Sequence, residues 1–184
     1  MADSNLGKKF ERMFRESALK QDLFFLRLND SNLSYGGVQG SKFTPTNPCD
    51  FISFLDGNLF MLELKSTCYK SIPIQINPEE PQKMIKAHQI SDLSKYSLYD
   101  GIICGFVFNF RDDENMQNEV TYYMSIENFN NFVTESGKKS INKLDIVDHG
   151  GIKIKQMLRR TAYAYDVKTM LKDIQQSRTG EVVF

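Results

Sequence analysis

Two apolar segments joined by Asp56-Gly57 constrain the fold of this chain more than any other feature. CDFISFL occupies residues 49–55 and LFMLELKS occupies residues 59–66. An Asp-Gly pair between apolar runs is a strong hairpin signal, because both central positions of the favoured two-residue turn need a positive φ. The sequence therefore predicts an antiparallel hairpin in which Leu55 pairs with Asn58.

Three ionisable residues fall on one face of this predicted hairpin. Side chains alternate between faces along a strand, so Glu63 and Lys65 share a face, and the pairing above places Asp50 opposite Glu63. A register slipped by one residue would pair Asp50 with Lys65 but keep all three on that face. Facing carboxylates repel unless a cation lies between them, so the pattern indicates a metal site. A solvated hairpin surface with ordinary ion pairs is the alternative.

The chemistry of such a site follows from its oxygen ligands. Carboxylate oxygens suit a hard cation such as Mg²⁺ or Mn²⁺, which keeps several waters and binds substrate phosphate through its open positions. A bound ion of this kind lowers the pKa of its water and stabilises charge on a phosphodiester. Lys65 beside it can orient or deprotonate the attacking water, or neutralise the transition state.

The remaining pattern predicts an α/β fold with one mixed sheet and helices on both sides. Spacing of apolar residues predicts helices over 6–28, with Ser4 as N-cap, and over 79–98, 126–133 and 165–176. Apolar runs predict strands over 72–76, 102–108 and 120–126. Residues 29–48 predict a loop or irregular strands. Without an internal repeat, residues 1–184 are expected to form a single domain with a tail after about 177.

Composition gives no global signal for a charged partner. Lys and Arg total 23, as do Asp and Glu, so an electrostatic partner needs a local patch. One candidate lies between residues 138 and 160, where seven basic residues stand against two acidic ones. The basic residues are Lys138, Lys139, Lys143, Lys153, Lys155, Arg159 and Arg160. Such a patch can hold a DNA backbone, although solvated helix ends are the alternative.

Cysteine and histidine are too few for a fold held by disulfides or by a structural zinc ion. Three cysteines and two histidines, without clustered spacing, predict buried thiols in a reducing compartment rather than disulfides or zinc ligands. The N-terminal segment has no apolar core of signal-peptide length, and the run at 102–108 is too short to span a bilayer. We expect a cytoplasmic protein with no membrane contact.

The order of short motifs resembles a known nuclease family. Asp50 followed by Glu63-Leu64-Lys65 resembles the superfamily named for its Pro-Asp…(Asp/Glu)-x-Lys motif. Within it, the chain resembles the RecU Holliday junction resolvases, also called penicillin-binding-protein-related factor A. The motifs are GKKFER at 7–12, DF at 50–51, LELKS at 62–66, AHQI at 87–90 and GKKSI at 137–141 with Asp145-Ile146 after it. The resemblance implies a restriction-endonuclease-like core, with a central mixed sheet flanked by helices.

The resemblance also implies roles for individual residues. Asp50, Glu63 and Gln89 would bind the metal, and Lys65 would act on the water or the transition state. Glu11 would help a second metal or its water shell, but it can equally pair with Arg15 on its helix. DNA contacts are expected from the following basic residues: Lys138 and Lys139 first, with Lys143, Arg159 and Arg160. His88 is expected to pack or bond structurally rather than act as a base.

The implied function is a Mg²⁺-dependent, structure-selective endonuclease of phage or mobile-element type. It would resolve four-way DNA junctions, leave 5′-phosphate ends and act as a twofold homodimer. Two departures from the family matter: Cys49 stands where the motif name places Pro, and residues 31–48 carry only Lys42 in place of a long basic stalk. The alternatives are a nuclease on other branched or duplex DNA and a non-catalytic DNA-binding scaffold.

Overall fold

The computed structural model describes residues 3–28, 47–112, 115–160 and 162–179. The predicted loop over 29–48 therefore falls almost wholly outside the described residues. The helices and strands in chain order are α1 (Asp3–Leu19), β1 (Phe24–Arg27), β2 (Phe51–Leu55), β3 (Asn58–Thr67), β4 (Ser71–Pro73), α2 (Ala87–Tyr96), β5 (Ile102–Phe110), β6 (Val120–Ser125), α3 (Ile126–Ser136), β7 (Ser140–Asn142), α4 (Lys143–Asp148), β8 (Ile152–Lys153), β9 (Gln156–Arg159), β10 (Ala162–Tyr165) and α5 (Val167–Thr179).

A six-stranded mixed sheet forms the centre of the fold, with strand order β1-β2-β3-β5-β6-β8. β3 and β5 run parallel, whereas the other neighbouring pairs are antiparallel. The strands β4 and β7 form a separate pair, as do β9 and β10. The mixed α/β sheet flanked by helices that the sequence predicts is confirmed.

The hairpin between β2 and β3 has the predicted turn and register. Asp56 and Gly57 both have positive φ, at 46° and 83°, as a two-residue turn of this hand requires. Leu55 pairs with Asn58 and the ladder continues back to Phe51 opposite Leu62. One further step along this register places Asp50 beside Glu63, so the slipped pairing of Asp50 with Lys65 is excluded.

Two apolar cores cover the two faces of the sheet. On one face, α1, α5 and the β9–β10 hairpin bury Phe10, Phe14 and Tyr165 against Leu62 and Leu64. On the other, α2, α3 and α4 pack over the sheet with β4 and β7. β5 lies between β3 and β6 and is buried on both faces along almost its whole length, as its continuous apolar run predicts.

The predicted helix over 6–28 is wrong in its second half. α1 begins at Asp3, ahead of the predicted N-cap Ser4, and ends at Leu19. Asp22 then takes a left-handed backbone conformation with a φ of 57°, which helix geometry does not allow. The residues that follow form β1, because pairing with β2 buries Phe25 and satisfies the strand's backbone groups.

The predicted helix over 79–98 is also too long. Only α2 is helical, because Pro81 cannot continue a helix and Ile85 is held in a parallel bridge to Ile74 of the preceding segment. The strand predicted over 72–76 is shortened to β4. The elements of residues 140–165 are short and were not predicted, while the strands and helices predicted near 102, 120, 126 and 165 are confirmed.

Other expectations concern the thiols and the membrane. Cys49 and Cys104 are buried free thiols as expected, and burial raises the pKa of both, but the free thiol of Cys68 is exposed. No helix in the described part of the chain combines the length and the apolar character that a bilayer crossing needs.

Candidate active site

Three side chains of the β2–β3 hairpin meet where β2 begins. Asp50 precedes β2, and its Oδ2 accepts a hydrogen bond from the backbone N–H of Leu64 at 2.8 Å. Glu63 lies in β3 with only 2% of its surface exposed, and its Oε1 accepts from the Nζ of Lys65 at 2.8 Å. The predicted grouping of Asp50, Glu63 and Lys65 on one face is thus what the structure shows.

Gln89 reaches this group from the first turn of α2. Its Nε2 donates to Oε1 of Glu63, while its Oε1 accepts from the backbone N–H of Lys86 at 3.0 Å and caps the helix. The amino end of the amide, not the oxygen, therefore faces the carboxylate. In this arrangement Gln89 holds Glu63 in place, and presenting its oxygen to a cation requires a turn of the amide that breaks the cap.

Electrostatics at Glu63 reflect its burial among charged neighbours. Burial, with a further contribution from Asp50, raises the pKa of Glu63 to about 7 against the lowering effect of Lys65. Loss of hydration and a facing carboxylate each disfavour the charged form, so the raised pKa is what a carboxylate pair without a cation should have. The donor set fits a hard divalent cation, which would relieve this repulsion when bound by Asp50 and Glu63.

Glu11 approaches the same site from α1 on the opposite face of the sheet. It forms an ion pair with Arg27 of β1 at 2.6 Å, not with Arg15 on its own helix. Burial, with a contribution from Asp50, raises its pKa, while Arg27 and Lys65 lower it. Within the described ranges no three Asp, Glu, His or Cys side chains are close enough together to hold a metal. Glu11 therefore does not form a three-carboxylate cluster with Asp50 and Glu63.

Ser66 fixes the strand that carries the site. Its Oγ donates to Oδ1 of Asn109 on β5 at 2.8 Å and accepts from Nε of Arg111 at 3.1 Å. Asn109 in turn donates to Oε1 of the buried Glu119 at 2.9 Å. This buried chain of hydrogen bonds ties β3 to β5 next to Lys65.

His88, expected to pack or bond structurally, is exposed on α2.

The basic residues expected to bind DNA are divided between two faces. Lys138 pairs with Asp145 and Lys139 pairs with Glu80, each at 2.6 Å, and Lys143 lies 5.7 Å from the ring centre of Phe110. These three belong to the face covered by α2, α3 and α4. Arg159 and Arg160 end β9 and begin its turn to β10, on the opposite face. The cations clustered in the sequence therefore do not form one surface.

Comparison with known proteins identifies the family. A family model described as recombination protein U, RecU, matches residues 24–168. The chain belongs to the RecU family. The matched residues include Asp50, Glu63, Lys65 and Gln89, whereas Glu11 precedes them. The family expected from the motif order is confirmed.

Two individual proteins are similar to this chain. The SPbeta prophage-derived uncharacterized protein YotM of Bacillus subtilis (strain 168) is 32% identical over 97% of this RecU-family chain and 92% of its own length. Among solved structures, the Hjc Holliday junction resolvase of Archaeoglobus fulgidus aligns over 80% of this chain and 95% of its own, with 13% identity and a TM-score of 0.48.

Four basic residues near the site of this RecU-family protein were not predicted from the sequence. Lys8, Arg12 and Arg15 of α1 line a cavity of about 410 Å³ together with Arg27, Glu11 and Phe51. Asp50 and Lys65 both act on the pKa of Glu11, which lines this cavity, so the cavity lies near the carboxylate pair. The signal was present in KKFERMFR, because residues 8, 12 and 15 recur at helical spacing and share one helix face.

The raised pKa of Glu63 predicts how the stability of the metal-free protein changes with pH. The native pKa, about 7, lies above the unfolded value of 4.5, so between these values the native state binds more protons. The free energy of unfolding should therefore fall as pH rises from 5 to 8, by roughly 3 kcal/mol from Glu63. Urea unfolding in EDTA at both pH values, with Glu63→Gln beside wild type, measures this.

The difference between the two proteins isolates Glu63, because Glu11 and Glu119 also have raised pKa values and contribute with the same sign. Glu63→Gln should lose most of the slope with pH. Equal slopes in both proteins would show that Glu63 is ionised throughout.

Proposed function

We propose that this RecU-family protein is a divalent-metal-dependent endonuclease that cleaves branched DNA in the cytoplasm, with four-way junctions as its substrate. The observation that carries the proposal is the contact of the Lys65 ammonium with Glu63, on a buried strand where Glu63 also faces Asp50. A buried pair of carboxylates with a lysine suits phosphodiester hydrolysis better than a structural role, because it leaves charge uncompensated.

Each residue of the site has a distinct task in this proposal. Asp50 and Glu63 would hold Mg²⁺ or Mn²⁺, which when bound polarises the phosphate and lowers the pKa of a coordinated water. Gln89 keeps the Glu63 carboxylate aimed at that position through its amide hydrogen bond. Lys65 places a positive charge beside the scissile phosphate as negative charge grows on it.

The bond changes follow from in-line attack. A water oxygen bonds to phosphorus as the bond from phosphorus to the 3′ oxygen breaks. The water gives up its proton, and the leaving oxygen ends protonated, which yields a 5′-phosphate and a 3′-hydroxyl. Lys65 is the ionisable group nearest the carboxylate pair that can stabilise the extra charge of the transition state.

Removing the lysine or either carboxylate should abolish cleavage and leave DNA binding intact. Lys65→Ala, Asp50→Asn and Glu63→Gln are each expected to lower the rate on a synthetic four-way junction by at least about 100-fold with Mg²⁺, since each removes transition-state stabilisation. Binding in EDTA should change less than about threefold. Gel assays with end-labelled strands measure both.

The assay also separates the alternative functions. Wild type that cuts no branched DNA with Mg²⁺ or Mn²⁺ would favour a non-catalytic scaffold. Equal rates on junctions and on linear duplex would refute junction selectivity but would leave the nuclease proposal intact.

The DNA backbone in this proposal passes over the basic cavity of α1. Lys8, Arg12 and Arg15 line this cavity with Glu11, whose pKa responds to Asp50, so phosphates next to the scissile one come within their reach. Lys138 and Lys139 remain proposed contacts further away, together with Lys143, Arg159 and Arg160. Their ion pairs with Asp145 and Glu80 offset the charge that Lys138 and Lys139 can offer to phosphate.

Two paired substitutions compare these surfaces. Arg12→Ala with Arg15→Ala should reduce the salt dependence of junction binding by about 1.8 in the slope of log K against log[salt], because two phosphate contacts are lost. Lys138→Ala with Lys139→Ala should reduce it less. Fluorescence anisotropy in EDTA from 50 to 300 mM salt gives the slopes, and the reverse order would place the DNA on the Lys138 face.

Paired cuts across a junction are proposed to come from a twofold homodimer. In the part of the chain that the structure describes, β1 is an edge strand of the sheet, and its side chains Phe24 and Leu26 are 55% and 47% exposed. Phe54, paired with Phe24, is 52% exposed. An apolar edge without a protecting lysine or proline is suited to pairing with a second copy.

A charge on this edge should prevent dimer formation. Phe24→Lys is expected to be monomeric at micromolar concentration by light scattering after size exclusion, because a buried unpaired ammonium is strongly unfavourable. Met157→Lys, at an exposed position of β9, is the matched control and should stay dimeric. A monomeric wild type, or a dimeric Phe24→Lys, would refute the assignment.

A further inference from the structure

A second cleft opens where β3 and β5 end, on the face of the sheet that carries Glu63 and Lys65. It has a volume of about 670 Å³. Its lining includes Cys68, Tyr69, Lys70, Phe110, Lys143 and Leu144. None of the residues assigned to the carboxylate site lines it, so it is a separate feature of the surface.

The cleft combines three basic side chains, set against the single carboxylate of Asp112, with an exposed aromatic ring. Lys70 is exposed in the connection between β3 and β4, and Lys143 enters from the start of α4 with its ammonium near the Phe110 ring. Tyr69 leaves 64% of its surface exposed. Ammonium groups suit phosphates, and an exposed ring suits an unstacked base, which together describe a nucleic-acid strand better than an apolar peptide.

The position of the cleft relative to Lys65 limits what can occupy it. Side chains alternate along β3, so Thr67 points to the same face as Lys65 and leads into the cleft. Tyr69 lies four residues beyond Lys65 in the chain, a span of at most about 14 Å. One strand of B-DNA carries a phosphate for about every 3.4 Å of axis, so the cleft lies within about four phosphates of the reacting one.

We propose that this cleft binds the DNA strand leaving the carboxylate site, with Lys70 and Lys143 on its phosphates and Tyr69 against a base unstacked near the branch point. The inference rests on the proposed nuclease function and adds the path of the strand. Lys70 lies outside the basic cluster of residues 138–160, whereas Lys143 belongs to it. The contact at Tyr69 would also favour branched DNA, because bases in continuous duplex stay stacked.

Binding measured without metal tests the path independently of cleavage. Lys70→Ala with Lys143→Ala should reduce the salt slope of four-way junction binding by about 1.8, measured by anisotropy in EDTA. Lys172→Ala, an exposed lysine of α5 on the opposite face, is the control and should keep the wild-type slope.

Tyr69 is tested with 2-aminopurine placed at each of the four positions on either side of the cleavage point. Wild type should change the fluorescence at one position at least twofold on binding, and Tyr69→Ala should lose that change. Tyr69→Phe, which keeps the ring, should retain it.

These experiments distinguish a failure of the cleft proposal from a failure of the nuclease proposal. Wild type that binds and cuts junctions, with the lysine pair keeping the full salt slope or the Tyr69→Ala signal unchanged, overturns the cleft assignment alone. Wild type that neither binds nor cuts branched DNA overturns both.

Discussion

The burial of Glu63 is the interaction on which the arrangement of the site depends. A carboxylate with 2% exposure has lost nearly all its water, so its charge must be met by neighbouring groups or by a proton. Lys65 and Gln89 both donate to the same oxygen of Glu63, while Asp50 faces it and opposes ionisation. This balance fits a centre in which a cation supplies the missing positive charge.

The sheet positions these groups through its register. Because β2 and β3 pair with Leu55 opposite Asn58, Asp50 lies beside Glu63 and its carboxylate faces the same region. Parallel pairing of β3 with β5 then buries the strand, and the bonds from Ser66 to Asn109 fix its end. A rigid strand is a suitable carrier, since metal chemistry tolerates little displacement of its ligands.

Sequence reasoning succeeded where a local rule sets the geometry. The Asp56-Gly57 pair predicts the turn, and alternation along the strand assigns Glu63 and Lys65 to one face in either register. It failed where two local rules compete. Residues 20–28 continue the helical spacing of α1, yet pairing with β2 made them a strand, and Pro81 with the Ile74–Ile85 bridge removed the first half of the predicted second helix.

The sequence by itself determined the hairpin and the placement of Asp50, Glu63 and Lys65 on one face, because these depend on neighbours within about fifteen residues. The observed pairing then selected one of the two registers that the sequence allowed. Only the tertiary structure decided which end of the Gln89 amide meets Glu63, that Glu11 pairs with Arg27, and that the cations of residues 138–160 divide between two faces. Those outcomes depend on how helices from distant parts of the chain pack on opposite faces of the sheet, and packing of that kind leaves no periodic signal in the residues themselves.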